Sequence, residues 1–315
     1  QGFNFEENKV VSFFDLGIDS KVSLGSGLIL DLTLNPDFSQ VEVDDQIINL
    51  SRFEVRLPEK RQFFLQNSDL FSSFGSSYSA QPFFSRRIGV AKDISGNTIQ
   101  NRIISGARLS GKINKNLRLG ILNMVTDSDP KNKISSNNNT VIALQHKMFS
   151  RSFLGAFLVN RQKIGKEEFK NNQEEYNRVL GVDYNLQSNN NKWVGKVWYH
   201  RSFETNNSEN NFSNGFRLNY NSRKNNLRLF TGQKSENFRS DLGFIQRTGV
   251  KSYFASYGHR LWIDSKSVRS IEFSQQIYFV DKPKLFNLVT DRNYETKSEI
   301  SFTNQSKFEI SYNRR

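Results

Sequence analysis

The chain has no cysteine, which excludes disulfides, thiolate zinc centres and cysteine nucleophiles. No stretch approaches the ~18 consecutive apolar residues of a membrane-crossing helix. That absence leaves a β-barrel open, because a barrel strand crosses with only about ten residues and its alternation hides it from hydropathy. There is no RNP-like aromatic motif, zinc-finger spacing or helix-turn-helix pattern, and the Lys and Arg are spread rather than clustered. A nucleic-acid partner is therefore not expected, despite the net charge of +13. The charge points instead to an anionic neighbour such as phosphate-rich lipid or an acidic ligand. Nor is there an apolar leader. The chain opens at Gln1, and the expectation is a processed product whose export signal has been removed.

What is present is unusual for a soluble enzyme. Hydrophobic residues make up only 36% of the 315 positions, yet 28 are Phe and 10 are Tyr. Low overall hydropathy with many aromatics fits either a long β-protein with one wet face or a disordered chain. Disordered chains are poor in aromatic and β-branched residues, so the first reading holds.

Period-two alternation dominates. Leu28, Leu30, Leu32 and Leu34 share one face against Asp31, Thr33 and Asn35. Leu180, Val182, Tyr184 and Leu186 oppose Gly181, Asp183 and Asn185, and near the end Phe308, Ile310 and Tyr312 oppose Glu309, Ser311 and Asn313. Besides a strand over 27–35, the pattern predicts strands near 103–113, 117–126, 140–149, 153–163, 177–187, 193–203, 214–222, 226–234, 250–262, 268–280, 292–302 and 307–313. No helical periodicity is evident beyond about residue 100. Gly25 and Gly27 in "LGSGL" lack the Lys-Ser/Thr of a phosphate loop and lead into a strand, so they read as a hairpin turn.

The connections alternate between short turns, such as Asn114-Lys115-Asn116, and long polar loops, such as "DSDPKNKISSNNN". A soluble sandwich would also alternate apolar and polar residues, but it gives no reason for connection lengths to alternate. Outer-membrane barrels do, with tight turns on one membrane side and long loops on the other. The expected fold is all-β: a transmembrane antiparallel outer-membrane β-barrel with about 14 strands in view. The parity of the loops further predicts that strands continue past Arg315. Aromatics at strand ends (Trp193, Trp198, Tyr199, Trp262, Tyr278 and Phe279) suit interfacial girdles. Three blocks follow: first barrel strands over 1–35, a charge-rich plug or cap over 36–101, and barrel strands over 102–315.

The densest stretch is "LTLNPDFSQVEVDDQIINLSRFEVRLPEKRQFFLQNSDLF", from Leu32 to Phe71. Asp37, Glu42, Asp44 and Asp45 could pair with nearby Arg52, Arg56, Lys60 and Arg61, or supply some oxygens of a calcium site. Their spacing matches no EF-hand, and no glycine sits at the sharp turn such a loop needs. Ion pairing is the favoured reading, ahead of metal binding and catalysis. The cluster Glu59, Lys60 and Arg61, with Asp69, Arg86 and Arg87, reads as an ion-paired plug whose cations meet acids on the inner barrel wall, packed in place by Phe63, Phe64 and Phe71. An anion-binding patch for lipopolysaccharide or an acidic ligand is the functional alternative. His146, His200 and His259 lie on different strands with no acid or serine at catalytic spacing, and they read as polar wall residues.

This stretch, followed by "PFFSRRIG" at 82–89, resembles the signature of a family of large Bacteroidota outer-membrane proteins. That signature has the form NPDFxQVExD…PEKRxFFLExxDLF…FFSRRIG, and "SDLGFIQRTG" at 240–249 is also similar to a family segment. The resemblance is densest over 28–110 and continues more thinly afterwards. It implies a β-barrel domain in the outer membrane and carries no reaction with it. A carbohydrate-binding module of the family 9 type often precedes that barrel. The chain as read carries no such module and a shorter barrel, which weakens the expectation of a glycan role. The functional expectation is a non-enzymatic barrel without cofactor, acting as scaffold or accessory subunit of an outer-membrane assembly, secretion or import machine. Its expected partners are outer-membrane lipid, lipopolysaccharide and other outer-membrane proteins. A glycan-binding or substrate-transporting surface barrel is the alternative, and glycan is then a possible ligand.

Overall fold

A period-two chain with tight turns can satisfy its backbone only by pairing each strand with its sequence neighbours. The computed structural model shows this arrangement, and describes residues 2–4, 9–11, 16–36, 54–76, 79–165, 175–205, 209–285 and 288–315. One antiparallel sheet contains 14 strands, each hydrogen-bonded to the strands before and after it. They are β1 (Ile18–Leu24), β2 (Leu28–Leu34), β3 (Ile103–Lys112), β4 (Leu117–Thr126), β5 (Asn137–Met148), β6 (Ser152–Lys163) and β7 (Tyr176–Gln187). The second half is β8 (Trp193–Glu204), β9 (Phe212–Asn221), β10 (Asn225–Lys234), β11 (Val250–Trp262), β12 (Val268–Lys282), β13 (Leu288–Phe302) and β14 (Lys307–Arg314). Gly25, at φ +67°, begins the turn of the β1–β2 hairpin. Among the described residues β1 and β14 are the two edges, so the sheet is seen open rather than closed into a cylinder.

The alternation of connections holds along most of the chain and fails at one place. Lys282 ends β12 and Leu288 begins β13, where a long loop was expected between 280 and 292. Both strands run to 15 residues, so most of that expected loop continues the sheet.

The described part of the excursion between β2 and β3, residues 54–76 and 79–102, forms an insert on one face of the sheet. Its exit and return are tied together: the Asn35 N–H donates to the Ile104 carbonyl at 2.8 Å, and Arg102 Nη2 to Asn35 Oδ1 at 2.8 Å. Within it lie two short helices, α1 (Gln62–Leu65) and α2 (Ser68–Ser72), and a hairpin of Val90–Lys92 with Thr98–Gln100. Ala80–Gln81 also pairs with Phe244–Ile245 from the connection after β10. The helices escaped the sequence reading because each spans barely one turn, too short for a 3.6-residue period to repeat.

The core lies between insert and sheet. Phe64, Leu70, Phe71, Phe74, Phe83 and Ile88 pack against Leu122, Met124, Val141, Phe157, Val159 and Val179. Two wall glycines make the close approach possible. A Cβ at Gly120 would lie 2.7 Å from the Phe71 ring, and one at Gly155 2.8 Å from the Phe74 ring. Each large side chain buried here stabilises docking by roughly 1.5–3 kcal/mol. Gly120→Val should therefore push out Phe71 and destabilise the chain by about 1–3 kcal/mol, as overpacking does. The check is the urea midpoint, together with hydrogen exchange over 62–90. Leu119→Val, pointing to the other face, should leave that exchange unchanged.

Candidate functional site

Strand parity decides which wall residues meet the insert. On β3 to β10 the insert-facing positions include Arg108, Arg118, Gln145, Asp183, Lys196 and Lys234. Each finds a partner on the insert, and the partners run broadly from Gln66 at β3 to Ser79 at β10, with Lys196 on β8 stepping back to Ser73. Arg108 Nη1 donates to the Gln66 carbonyl at 2.7 Å while its Nη2 pairs with Asp31 at 2.7 Å. Arg118 Nη1 reaches Asp69 Oδ2 at 2.6 Å, and Gln145 Nε2 donates to Ser73 Oγ at 3.0 Å. Lys196 Nζ donates to the Ser73 carbonyl, and Lys234 Nζ to the Ser79 carbonyl at 3.1 Å.

The most buried point is a cluster on β7 and β8. Asp183 Oδ2 accepts from Lys196 Nζ at 2.9 Å and from the Gly75 N–H at 2.7 Å, while His200 Nε2 lies 2.6 Å from Asp183 Oδ1. Asp183 is 1% exposed and His200 0%. The expectation that His200 stands apart from any acid is corrected by register. His200 pairs with Gly181, so Asp183 sits one inward step along the neighbouring strand, a relation invisible without the pairing. The geometry is that of an anchor. Both oxygens of Asp183 are occupied, and His200 Nδ1 meets no hydrogen-bond partner among the described residues. A catalytic base needs an unprotonated nitrogen within reach of a substrate's proton, and His200 is sealed from solvent at this point. His259 lies on β11 with Nδ1 2.7 Å from Asn225 Oδ1, and His146 is exposed on β5.

Within the insert, Glu59 and Arg61 form a self-contained clasp. Arg61 is 4% exposed; its Nη2 pairs with Glu59 Oε2 at 2.7 Å and its Nη1 donates to the Ile88 carbonyl at 2.7 Å. Its guanidinium carbon lies 4.2 Å from the Phe64 ring centre. Ser85 Oγ donates to Glu59 Oε2 at 2.6 Å, and the Lys60 N–H to Glu59 Oε1 at 3.0 Å. Burial pushes the Glu59 carboxyl up, but Arg61 and Ser85 outweigh it and the net pKa is lowered. Asp69 is lowered chiefly by its hydrogen bond from Arg118, against the opposing effect of burial. Arg86 donates to the Pro58 carbonyl at 2.6 Å, and Arg87 pairs with Glu54 at 2.6 Å.

The polarity of docking is thus the reverse of the sequence expectation for these residues. The wall supplies the cations and the insert accepts them, largely through main-chain carbonyls, while the insert's own Arg61 and Arg87 pair with its own acids. Asp37, Glu42, Asp44 and Asp45 lie outside the described residues. Of the expected girdle, Trp193 and Tyr199 are exposed on the far face. Trp198 is buried at 2% on the insert face, because adjacent residues of a strand cannot share a side.

A cavity of about 1380 Å³ opens between the insert and the long connections. Its wall includes a chain of paired charges: Arg161 to Asp241 at 3.2 Å, Asp241 to Arg239 at 2.6 Å, and Arg239 to Glu204 at 3.4 Å.

Residues 2–315 match a protein family described as a domain of unknown function, DUF5916. No curated protein and no solved structure matches the chain.

Two outcomes check the docking geometry. Asp183→Ala leaves the Lys196 ammonium buried without its partner, and breaking such a pair costs about 3–5 kcal/mol. Protease sites in 62–88 should become accessible, whereas Arg178→Ala on the far face should change nothing. The pH dependence follows from Glu59 and Asp69. Their docked pKa values are depressed, so their contribution is complete above the ordinary carboxylate values and is lost as pH falls through the docked ones. Hydrogen exchange over 54–88, corrected for intrinsic rates, should therefore rise on acidification below the ordinary carboxylate range. Glu59→Gln should show part of that loosening already at neutral pH.

Proposed function

The chain belongs to the DUF5916 family, and we propose that it forms the wall and plug of an outer-membrane β-barrel that acts without catalysis as scaffold or accessory subunit of an outer-membrane machine. The observation that carries this reading is the face opposite the insert. Across the sheet it presents apolar side chains that no other described residue covers: Leu180 is 47% exposed, Val182 50%, Val197 56% and Tyr199 49%. The same alternation continues to Phe308 at 53%, Ile310 at 61% and Tyr312 at 67% on β14. A monomer in water rarely leaves apolar patches above a few hundred Å² uncovered. In a bilayer such a face is the solvent-matched one, and the polar face with its insert turns inward.

The plug argues for the scaffold role. A porin needs an open aqueous channel, and here the insert is fastened across eight strands of wall, from Arg108 on β3 to Lys234 on β10. No helix among the described residues is long and apolar enough to cross a membrane, so crossing would rest on strands. The cavity of about 1380 Å³ beside the insert favours the alternative of a substrate-handling barrel. The two readings differ in planar bilayers, where a fastened plug gives no steady conductance and a transporter gives ligand-dependent current.

In detergent, the unheated protein should migrate differently from the heated one on a denaturing gel, with a strand-dominated circular dichroism spectrum. Leu180→Arg places a charge on the lipid face at a cost of roughly 2–4 kcal/mol near the midplane. It should reduce recovery of folded protein from vesicles. Equal recovery, or a protein that stays monomeric and folded in water without detergent, would overturn the membrane reading.

A further inference from the structure

We propose that the insert-bearing face holds a second binding site, beyond the insert, for a small molecule carrying a phosphate or carboxylate group. The insert's anchors end at Lys234 on β10. Past it, the register aligns Asn226, Gly258, Ser274 and Lys297 in one row across β10 to β13. The next row is Arg228, Ser256, Gln276 and Glu295. Ser256, Gly258 and Ser274 are neighbours with little or no side chain, and they floor a cavity of about 380 Å³. That volume suits one small polar ligand.

The rim is cationic in excess. Arg260 is held by Glu272 at 2.8 Å, and Lys297 by Glu309 at 2.7 Å. Among the described residues no carboxylate pairs with Arg223, Lys224 or Arg228, all of which line the cavity. The opposing group is Glu295, which accepts from Gln276 Nε2 at 2.6 Å and pairs with no cation among the described residues. Three unmatched cations thus face one unmatched carboxylate. Trp262 gathers the Arg223 and Arg260 guanidiniums at 5.0 and 5.5 Å from its ring centre. Arg260's charge is already answered by Glu272, whereas Arg223 has no carboxylate among the described residues and gains from a bound anion. Arginine's fork matches either oxyanion with two parallel hydrogen bonds, and the Asn and Ser side chains add neutral donors. The site needs only the pairing of β10 to β13, so it stands whether or not the sheet closes or enters a membrane.

The test is calorimetric titration of the full chain at low salt with inorganic phosphate and, separately, citrate. Saturable binding of at least one probe is expected, and the stronger of the two identifies the preferred oxyanion. Arg228→Ala should weaken it by about tenfold or more, as loss of one charge-assisted pair does. Gly258→Leu should abolish it without altering any charge, because the side chain fills the floor. Arg292→Ala, a cation of the far face, should bind as the parent does. The site is refuted if neither probe binds, or if the two cavity variants bind like the parent, which would mean diffuse attraction to a basic protein. Should Gly258→Leu lose its strand spectrum, Lys224→Ala takes its place with the same expected direction as Arg228→Ala.

Discussion

The fold depends on how the wall grips the insert: cationic side chains of the sheet donate to main-chain carbonyls of a segment that crosses many strands. Arg108, Lys196 and Lys234 do this at Gln66, Ser73 and Ser79, and Asp183 returns the favour by accepting from the Gly75 N–H. An irregular segment against a sheet has no ladder to satisfy its backbone, and a buried carbonyl without a donor is costly. Long wall cations solve that problem. Arg108 and Lys196 offset their own desolvation by also meeting Asp31 and Asp183, whereas Lys234 meets only the Ser79 carbonyl among the described residues. Removing one member therefore costs more than the pair contributes, and the insert's position becomes close to all-or-none.

The same strands give the chain two unlike faces. Asp183 and His200 are sealed beneath the insert, while Val182 and Tyr199, each one residue away in sequence, and Leu180 face outward and are exposed. A sheet with a wet, occupied side and a dry, empty side fits the boundary of a bilayer better than it fits water. On that reading the excess of basic residues has two uses: wall cations hold the insert, and those around Gly258 remain available to a ligand.

Much of this was legible in the sequence. Leu28 to Leu34 and Phe308 to Tyr312 show the two-residue period of a half-buried strand, and the strand ends fall within a few residues of expectation. The aromatic and charged stretch at 58–71 was recognisable as ordered for the same reason it is buried: Phe64 and Phe71 have to pack somewhere. The partners were not legible. Lys196 meets Ser73 across 123 positions, and a bond to a carbonyl leaves no signature in residue type. The Asp183–His200 contact depends on the pairing of β7 with β8, which the turn between them sets and composition does not. Trp198 was a misreading that parity alone could have prevented, since Tyr199 beside it takes the outer face.

The central claim is that these two faces meet two different solvents. Because the chain has no cysteine, single cysteines can be placed at successive positions from Leu180 to Leu186 and labelled with a nitroxide in lipid vesicles. Accessibility to dissolved oxygen should peak at Leu180, Val182, Tyr184 and Leu186 and fall at the residues between, with the polar nickel reagent excluded from the peaks. Equal accessibility to the polar reagent at Leu180 and Val182 would contradict the account, and would make the uncovered face a surface that meets water or another protein.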